Sequence, residues 1–464
     1  MILRFCKENN GSVLNEYLAT FTACILYFLV GVHTGWTSPY IPKLVKSEDY
    51  PFDISDEAAS YIAIFGPIGD VFGEIASMLI VDRIGRKNTL LVLGTPMLAS
   101  SLLIYFSNTS PSFIYIARFL GGITVGTIMS IFTMYTSEVA RPSIRGKLGV
   151  IGVFVFIAGI ITVNIVGKYL NFYQSSLIFI VIAVCFFISF YFMPESPYYL
   201  LMKNKHREAE KSLKFFRRTE VIEEELISLV KVIERQLSEK GNFRDLFSID
   251  SNRKAVLLMV FGRILQQITG ATAFTMYAQD LLSDSKDFIE PQFAVMVIFS
   301  IQTVIVLISG RLSDKFGRVP LIIISTASTS STLFLFGVYF TLRDYTSVGL
   351  PTWIPFFLLL LFFIFFLIGI GSLLGVMLGE YFSASIKSKA ICVSNITYSI
   401  TVIFTTKLYQ VCNDYIHISV SFYFFAVCTL IGTLFIRSCY PETKGKTLEE
   451  IQMELKHSNQ NGTS

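Results

Sequence analysis

The chain has 464 residues, of which 53% are hydrophobic and 16% charged, with a net charge of +4 and a mean hydropathy of +0.59. A soluble domain carries about a quarter charged residues, so this composition excludes one and makes lipid the solvent. No nucleophile–base set, phosphate loop or metal-ligand cluster stands in the sequence, and the seven cysteines are scattered, so an enzyme, a cofactor and a nucleic-acid partner are all unexpected.

Apolar runs of the roughly twenty residues that cross about 30 Å of hydrocarbon can be placed twelve times. The first six cover 17–40, 58–81, 89–106, 113–137, 148–167 and 174–193, and the second six 255–280, 291–313, 320–342, 353–382, 390–409 and 417–437. The reading is an all-α membrane protein of twelve transmembrane helices in two six-helix bundles. Its expected partition is 1–193, a cytoplasmic helical linker at 194–254, 255–437, and a tail at 438–464. Residues 1–16 lack a cleavable-signal pattern, so the first run is expected to stay as a span. With Arg311, Lys407 and Arg437, which stand in the last turn of their spans, counted to the adjoining side, Lys and Arg number 30 on the side of the termini, 6 on the opposite side and 2 deep within spans (Arg118 and Arg263). Without the 13 of the central loop the ratio is still 17 to 6, which predicts cytoplasmic termini. In that loop Ile222, Leu226, Leu229, Val230, Ile233 and Leu237 recur at helical spacing against charged residues, the pattern of an amphipathic strut under the bundle. Trp36 and Trp353 stand near span ends, where interface anchors are expected. Asn108 opens a glycosylation sequon in a short outer loop.

The short charged segments between spans repeat. Asp82-Arg83-Ile84-Gly85-Arg86-Lys87 returns as Asp314-Lys315-Phe316-Gly317-Arg318. Glu138, seven residues before Arg145, returns as Glu380, seven before Lys387, and Pro194-Glu195-Ser196 returns as Pro441-Glu442-Thr443. Duplication of a half-chain is the mark of a transporter built from two related bundles. The acidic members exceed what topology needs, since a positive-inside signal requires no carboxylate at fixed spacing from an arginine. Asp82, Arg83, Arg86, Glu138, Arg145 and Glu195, with Asp314, Arg318, Glu380, Lys387 and Glu442, are therefore candidates for a two-part cytoplasmic latch of pairs that form and part as span ends converge and separate.

These segments, together with Gln266-Gln267-x-x-Gly270 and Pro441-Glu442-Thr443-Lys444-Gly445-Lys446-Thr447-Leu448-Glu449-Glu450-Ile451, resemble the sugar porter branch of the major facilitator superfamily from residue 17 to 452. Thr37-Ser38-Pro39 and the chain's length look most like the insect trehalose facilitators and their glucose-facilitator relatives. The resemblance implies a latch that stabilises the outward-open state. Met78 and Ser383 stand where the family has glycine and proline, and Lys387 replaces an arginine, which removes bidentate pairing.

A sugar site needs amides and hydroxyls for hydrogen bonds and a ring surface against C–H faces. Candidates are Gln266, Gln267, Thr272 and Tyr277 around Gly270 in the seventh span, Gln302 and Thr303 in the eighth, where the resemblance implies a sugar-binding polar pair, and His33 in the first. Gly270 marks a place for that helix to break, a common transporter binding device. Val153, Thr272 and Ser399 replace family glutamine, asparagine and tryptophan, and Gly371-Ser372-Leu373-Leu374-Gly375 lacks the family's two prolines and tryptophan, so a straighter tenth span and a wider, less aromatic pocket are expected. His33 stands where proton-coupled relatives have aspartate, and Arg118 is the arginine that pairs with it there; helical rise puts both at similar depth. The expectation is a monomeric plasma-membrane carrier moving trehalose or a hexose by facilitated alternating access. The alternatives are a proton-coupled symporter using His33 and Arg118, and a non-transporting sugar sensor.

Overall fold

The computed structural model describes residues 12–46, 51–238, 243–347, 349–382, 384–446, 450–451 and 453–454. Among these residues every regular element is helical, as hydrocarbon demands of a backbone that must satisfy its own polar groups. The first span is α1 (Leu14–Gly35) continued by α2 (Thr37–Lys46). It is followed by α3 (Asp56–Ile84), α4 (Arg86–Tyr105), α5 (Ser112–Val139), α6 (Pro142–Tyr169) and α7 (Phe172–Tyr191). Three helices of the segment between the sixth and seventh spans follow, α8 (Pro197–Met202), α9 (His206–Arg217) and α10 (Glu223–Ser238), then the short α11 (Asp245–Ser248). The seventh span is α12 (Asp250–Ile268) with α13 (Ala271–Met276), extended by α14 (Ala278–Leu281). The rest are α15 (Pro291–Phe316), α16 (Arg318–Tyr345), α17 (Ile354–Ile368) with α18 (Ile370–Tyr381), α19 (Ala384–Val411) and α20 (Ile418–Cys439).

Twelve of these helical stretches are long and apolar enough to cross a membrane. Several run past the apolar limits. The second span continues from 81 to Ile84, because one more turn satisfies backbone groups while its charged side chains reach headgroup water.

The helices cluster into two compact units that cut across the chain-order partition. The first comprises residues 1–34, 68–162 and 170–240, the second 35–67, 163–169 and 241–464. In the first unit glycines bring backbones together. A Cβ on Gly31 would stand 2.0 Å from the Phe156 carbonyl, and one on Gly73 2.1 Å from that of Ile123. Small residues serve this purpose in lipid, where tails compete equally for apolar side chains. The linker helices fold back on the same unit. Leu226, Leu229, Val230 and Ile233 of α10 pack on Tyr199, Leu200, Leu201 and Ala209, the expected strut face.

The second unit has an aromatic centre. The Phe274 ring lies 5.1 Å from that of Phe362, 5.0 Å from Phe422 and 5.8 Å from Tyr409, and Tyr409 lies 5.5 Å from Tyr277. The loss of family tryptophans has not stripped this unit of ring surface. The expectation for Trp36 also fails: it is 2% exposed and packs on Tyr40, whereas Trp353 is 46% exposed as an interface anchor would be. An indole so near a span end is buried because α2 continues past it and covers it.

Candidate functional site

The duplicated charged segments fold into one local structure, once in each unit. In the first unit the chain leaves α3, turns through Gly85 at φ 97°, and begins α4 at Arg86. The Glu195 carboxylate accepts hydrogen bonds from the backbone N–H of Arg86 at 3.0 Å and of Lys87 at 3.0 and 3.1 Å. It thereby covers orphan donors at the positive end of α4. Only glycine fits the turn, since the φ is left-handed and a Cβ would stand 2.2 Å from Glu195 Oε2. The buried Arg86 side chain then reaches sideways. Its Nε lies 3.0 Å from the Glu138 carboxylate and Nη1 3.3 Å from Asp82, while the Ser196 hydroxyl donates to Glu138 at 2.5 Å.

In the second unit Gly317 also turns at φ 97°, and Glu442 accepts from the N–H of Arg318 and Val319, both at 3.0 Å. Arg318 Nη2 lies 3.2 Å from Glu380 and 3.5 Å from Asp314. This copy is looser, its arginine 15% exposed against 4% for Arg86. Burial pushes the Glu442 carboxyl up, but the N–H groups of Arg318, Lys444, Val319 and Thr443 outweigh it and hold the group below the ordinary glutamate value.

Three expected pairings are absent among the described residues. Arg83 is exposed and only its carbonyl is used, by the Tyr199 hydroxyl at 2.7 Å. Arg145 Nη2 reaches the Ala140 carbonyl at 3.5 Å, and Lys387 Nζ the Gly379 carbonyl at 3.2 Å. Glu195 and Glu442 cap helices and do not face arginine side chains. The physical reason is competition. A carboxylate seven residues upstream of Arg145 is already taken by Arg86, which is buried beside it. Met78 is 39% exposed on its helix face. Ser383 and residues 447–449 lie outside the described residues.

A second ion network was not foreseen. Glu16, fully buried, lies 2.8 Å from Arg141 Nε and 2.9 Å from Arg217 Nη1, and Arg217 lies 2.6 Å from Glu225. It ties α1, the turn between α5 and α6, α9 and α10. An acid directly abutting the first apolar run was the available signal.

The seventh span breaks as Gly270 predicted, at φ 81° between α12 and α13. Gln266 is 5% and Gln267 1% exposed. Gln266 accepts from Arg263 at 2.9 Å and donates to the Gly371 carbonyl at 3.0 Å, and Thr272 donates to Gln267 at 2.7 Å. Gln302 Nε2 and Tyr277 Oη are buried without a protein partner, whereas Thr303 spends its hydroxyl on the Phe299 carbonyl of its own helix. A buried polar atom left unmatched costs about 1–3 kcal/mol, so Gln302 and Tyr277 are the members of this set with bonding capacity to offer a solute. The tenth span breaks too, against expectation. Proline is not needed, because the Ser325 hydroxyl accepts from Ile370 N at 3.1 Å and donates to the Phe365 carbonyl at 2.6 Å across Gly369.

In the first unit Arg118 is 1% exposed and donates to the His33 carbonyl at 2.5 Å, so the two meet through backbone and not through the ring. His33 Nε2 is buried without a protein partner. Asp70 lies within electrostatic reach of both Arg118 and Glu74. These two acids, four apart in an apolar span, were missed, although a carboxylate inside a span is itself a functional signal.

The model of the sugar (and other) transporter family matches residues 19–455. The chain belongs to that family. Within it, the chain is 30% identical over 447 residues to a facilitated trehalose transporter of Bombyx mori, covering 95% of this chain and 86% of the other. It is 27% identical over 441 residues to one of Apis mellifera ligustica, covering 94% and 87%. The fold is that of the xylose transporter XylE from E. coli in its inward-open conformation, with a TM-score of 0.77 at 22% identity over 95% of this chain and 99% of that one. This member of the sugar transporter family is an integral multi-pass membrane protein, and its work is transport without covalent chemistry.

Proposed function

We propose that the chain is a facilitative carrier that moves trehalose or a hexose by alternating access, as a monomer in the plasma membrane with both termini cytoplasmic. The observation that carries the substrate reading is the similarity to insect trehalose facilitators along almost the whole length. The broken seventh span supports it, with Gln266, Gln267, Thr272, Tyr277 and Gln302 as the proposed contacts. Thr303 is the weakest member, since its hydroxyl is already bonded. The excess of Lys and Arg on the terminal side supports the orientation. The Arg86 and Arg318 turns are proposed to loosen as the carrier changes state, with Asp82, Glu138, Asp314 and Glu380 as their acidic partners. A non-transporting sensor is the reading that a tenth span without the family's prolines and tryptophan would favour, and the break at Gly369 removes the proline part of that ground.

One observation favours a second reading. Arg118, Asp70, Glu74 and His33 put one permanent cation among two acids and an imidazole, an arrangement suited to proton-linked transport. Vesicle uptake of labelled trehalose and glucose, with and without an imposed pH gradient, separates the two. A facilitator equilibrates sugar without accumulating it, and accumulation driven by the gradient would replace that reading with symport.

A further inference from the structure

Around Tyr277, one of the proposed contacts, the second unit carries further unmatched polar atoms that the reading above does not use. Thr37 Oγ1, Ser38 Oγ, Tyr277 Oη, Tyr409 Oη and Gln410 Oε1 are all buried without a protein partner. Thr37 is fully buried, and Ser38, Tyr409 and Gln410 are at most 4% exposed. They come from three elements of one neighbourhood. The helix α2, which begins at Thr37, packs on α13 and α14, Tyr277 is the residue between those two, and the Tyr409 ring lies 5.5 Å from that of Tyr277 at 35°.

We propose that these residues form an outer hydroxyl-binding subsite that takes the second ring of a two-ring sugar. The inference rests on the carrier reading above and deepens it. Four hydroxyls that both donate and accept, with one amide oxygen that accepts, match a ring whose own hydroxyls do both. The two tyrosine rings offer apolar surface to its C–H face. The chemistry excludes an anion, because the Gln410 amide nitrogen is already given to Asp414, and Asp280 and Asp414 are the charges acting on Tyr277. Spacing also fits a second ring. Thr272, in the inner set with Gln267, precedes Tyr277 by five residues, about 7.5 Å at 1.5 Å per residue. The inner amides then hold one ring and the outer hydroxyls the next.

The test uses the full chain in a transporter-null cell, with Tyr409→Phe and Thr37→Val, which each remove one hydroxyl with little change of shape and sit on different helices. Surface amounts are matched before KM is measured for labelled trehalose and labelled glucose. Each variant is expected to raise the trehalose KM about tenfold, ~1.4 kcal/mol, and the trehalose-to-glucose KM ratio by the same factor. A trehalose KM within twofold of wild type in both variants overturns the subsite, as does a glucose KM that rises in step. In both cases wild-type flux still upholds the carrier. A wild-type chain that carries neither sugar overturns the carrier reading, and the subsite with it.

Discussion

Replacing Gly85 by alanine tests the geometry of the duplicated turn. The new Cβ would stand 2.2 Å from Glu195 Oε2, 2.7 Å from its Cδ and 2.8 Å from the Tyr199 ring. The carboxylate must then leave the N–H groups of Arg86 and Lys87. Hydrogen bonds to a charged group are worth about 1.5–3 kcal/mol each, so the two lost bonds cost about 3–6 kcal/mol. Holding an L residue at φ 97° adds about 1–3 kcal/mol. The sum, about 4–9 kcal/mol, corresponds to a drop of roughly 10 °C or more at about 2 °C per kcal/mol for a large domain. Gly146 is the control, since a Cβ there meets nothing within 4 Å and alanine favours helix. Thermal unfolding of the purified protein in detergent gives the comparison. Gly85→Ala melting together with Gly146→Ala would refute the argument that Glu195 caps α4 through a glycine-only turn. Gly317→Ala, whose Cβ would stand 2.7 Å from Glu442, should fall between them.

Glu16→Ala leaves Arg141 and Arg217 without their shared buried partner, which should cost about 3–5 kcal/mol and lower the melting point more than Glu225→Ala, whose carboxylate is 38% exposed. Glu442 sets a pH dependence. Its pKa is lower folded than unfolded, so its contribution is complete above the ordinary glutamate range and is lost as pH falls through the folded value. Melting measured downward in pH should show Glu442→Gln losing less stability than wild type across that acid range, and equal losses would contradict the assignment. Ser325→Ala removes the hydroxyl that bridges the tenth-span break, leaving Ile370 N buried and unmatched. A loss of about 1–3 kcal/mol in the same melting assay is expected, and no change would show that the break holds itself.

Spans were legible because lipid imposes length and apolarity on each one separately, so all twelve could be placed from sequence. The turn clusters were legible as to which segments matter, since charge in an apolar chain is sparse. Their pairing was not. Sequence spacing put Glu138 with Arg145, but which arginine reaches a carboxylate is decided by how three elements converge, and Arg86 arrives from another helix. Glu195 shows the same limit, because a carboxylate's partner can be a helix N-terminus that contributes no side chain to be read. The tenth-span break was hidden for a related reason. Proline is the sequence signal for a kink, whereas here Ser325 on α16 and Gly369 between α17 and α18 make it jointly. Asp70 and Glu74 were readable as carboxylates inside an apolar span, and Arg118 has them within reach besides the first span, which it meets at the His33 carbonyl and not at the ring.

Proteoliposomes containing only the purified protein show whether this chain by itself carries sugar down its gradient. Labelled trehalose should enter saturably, stop at the outside concentration, and reach the same level with or without a pH gradient. Accumulation above the outside concentration, or saturable binding with no flux, would contradict the account.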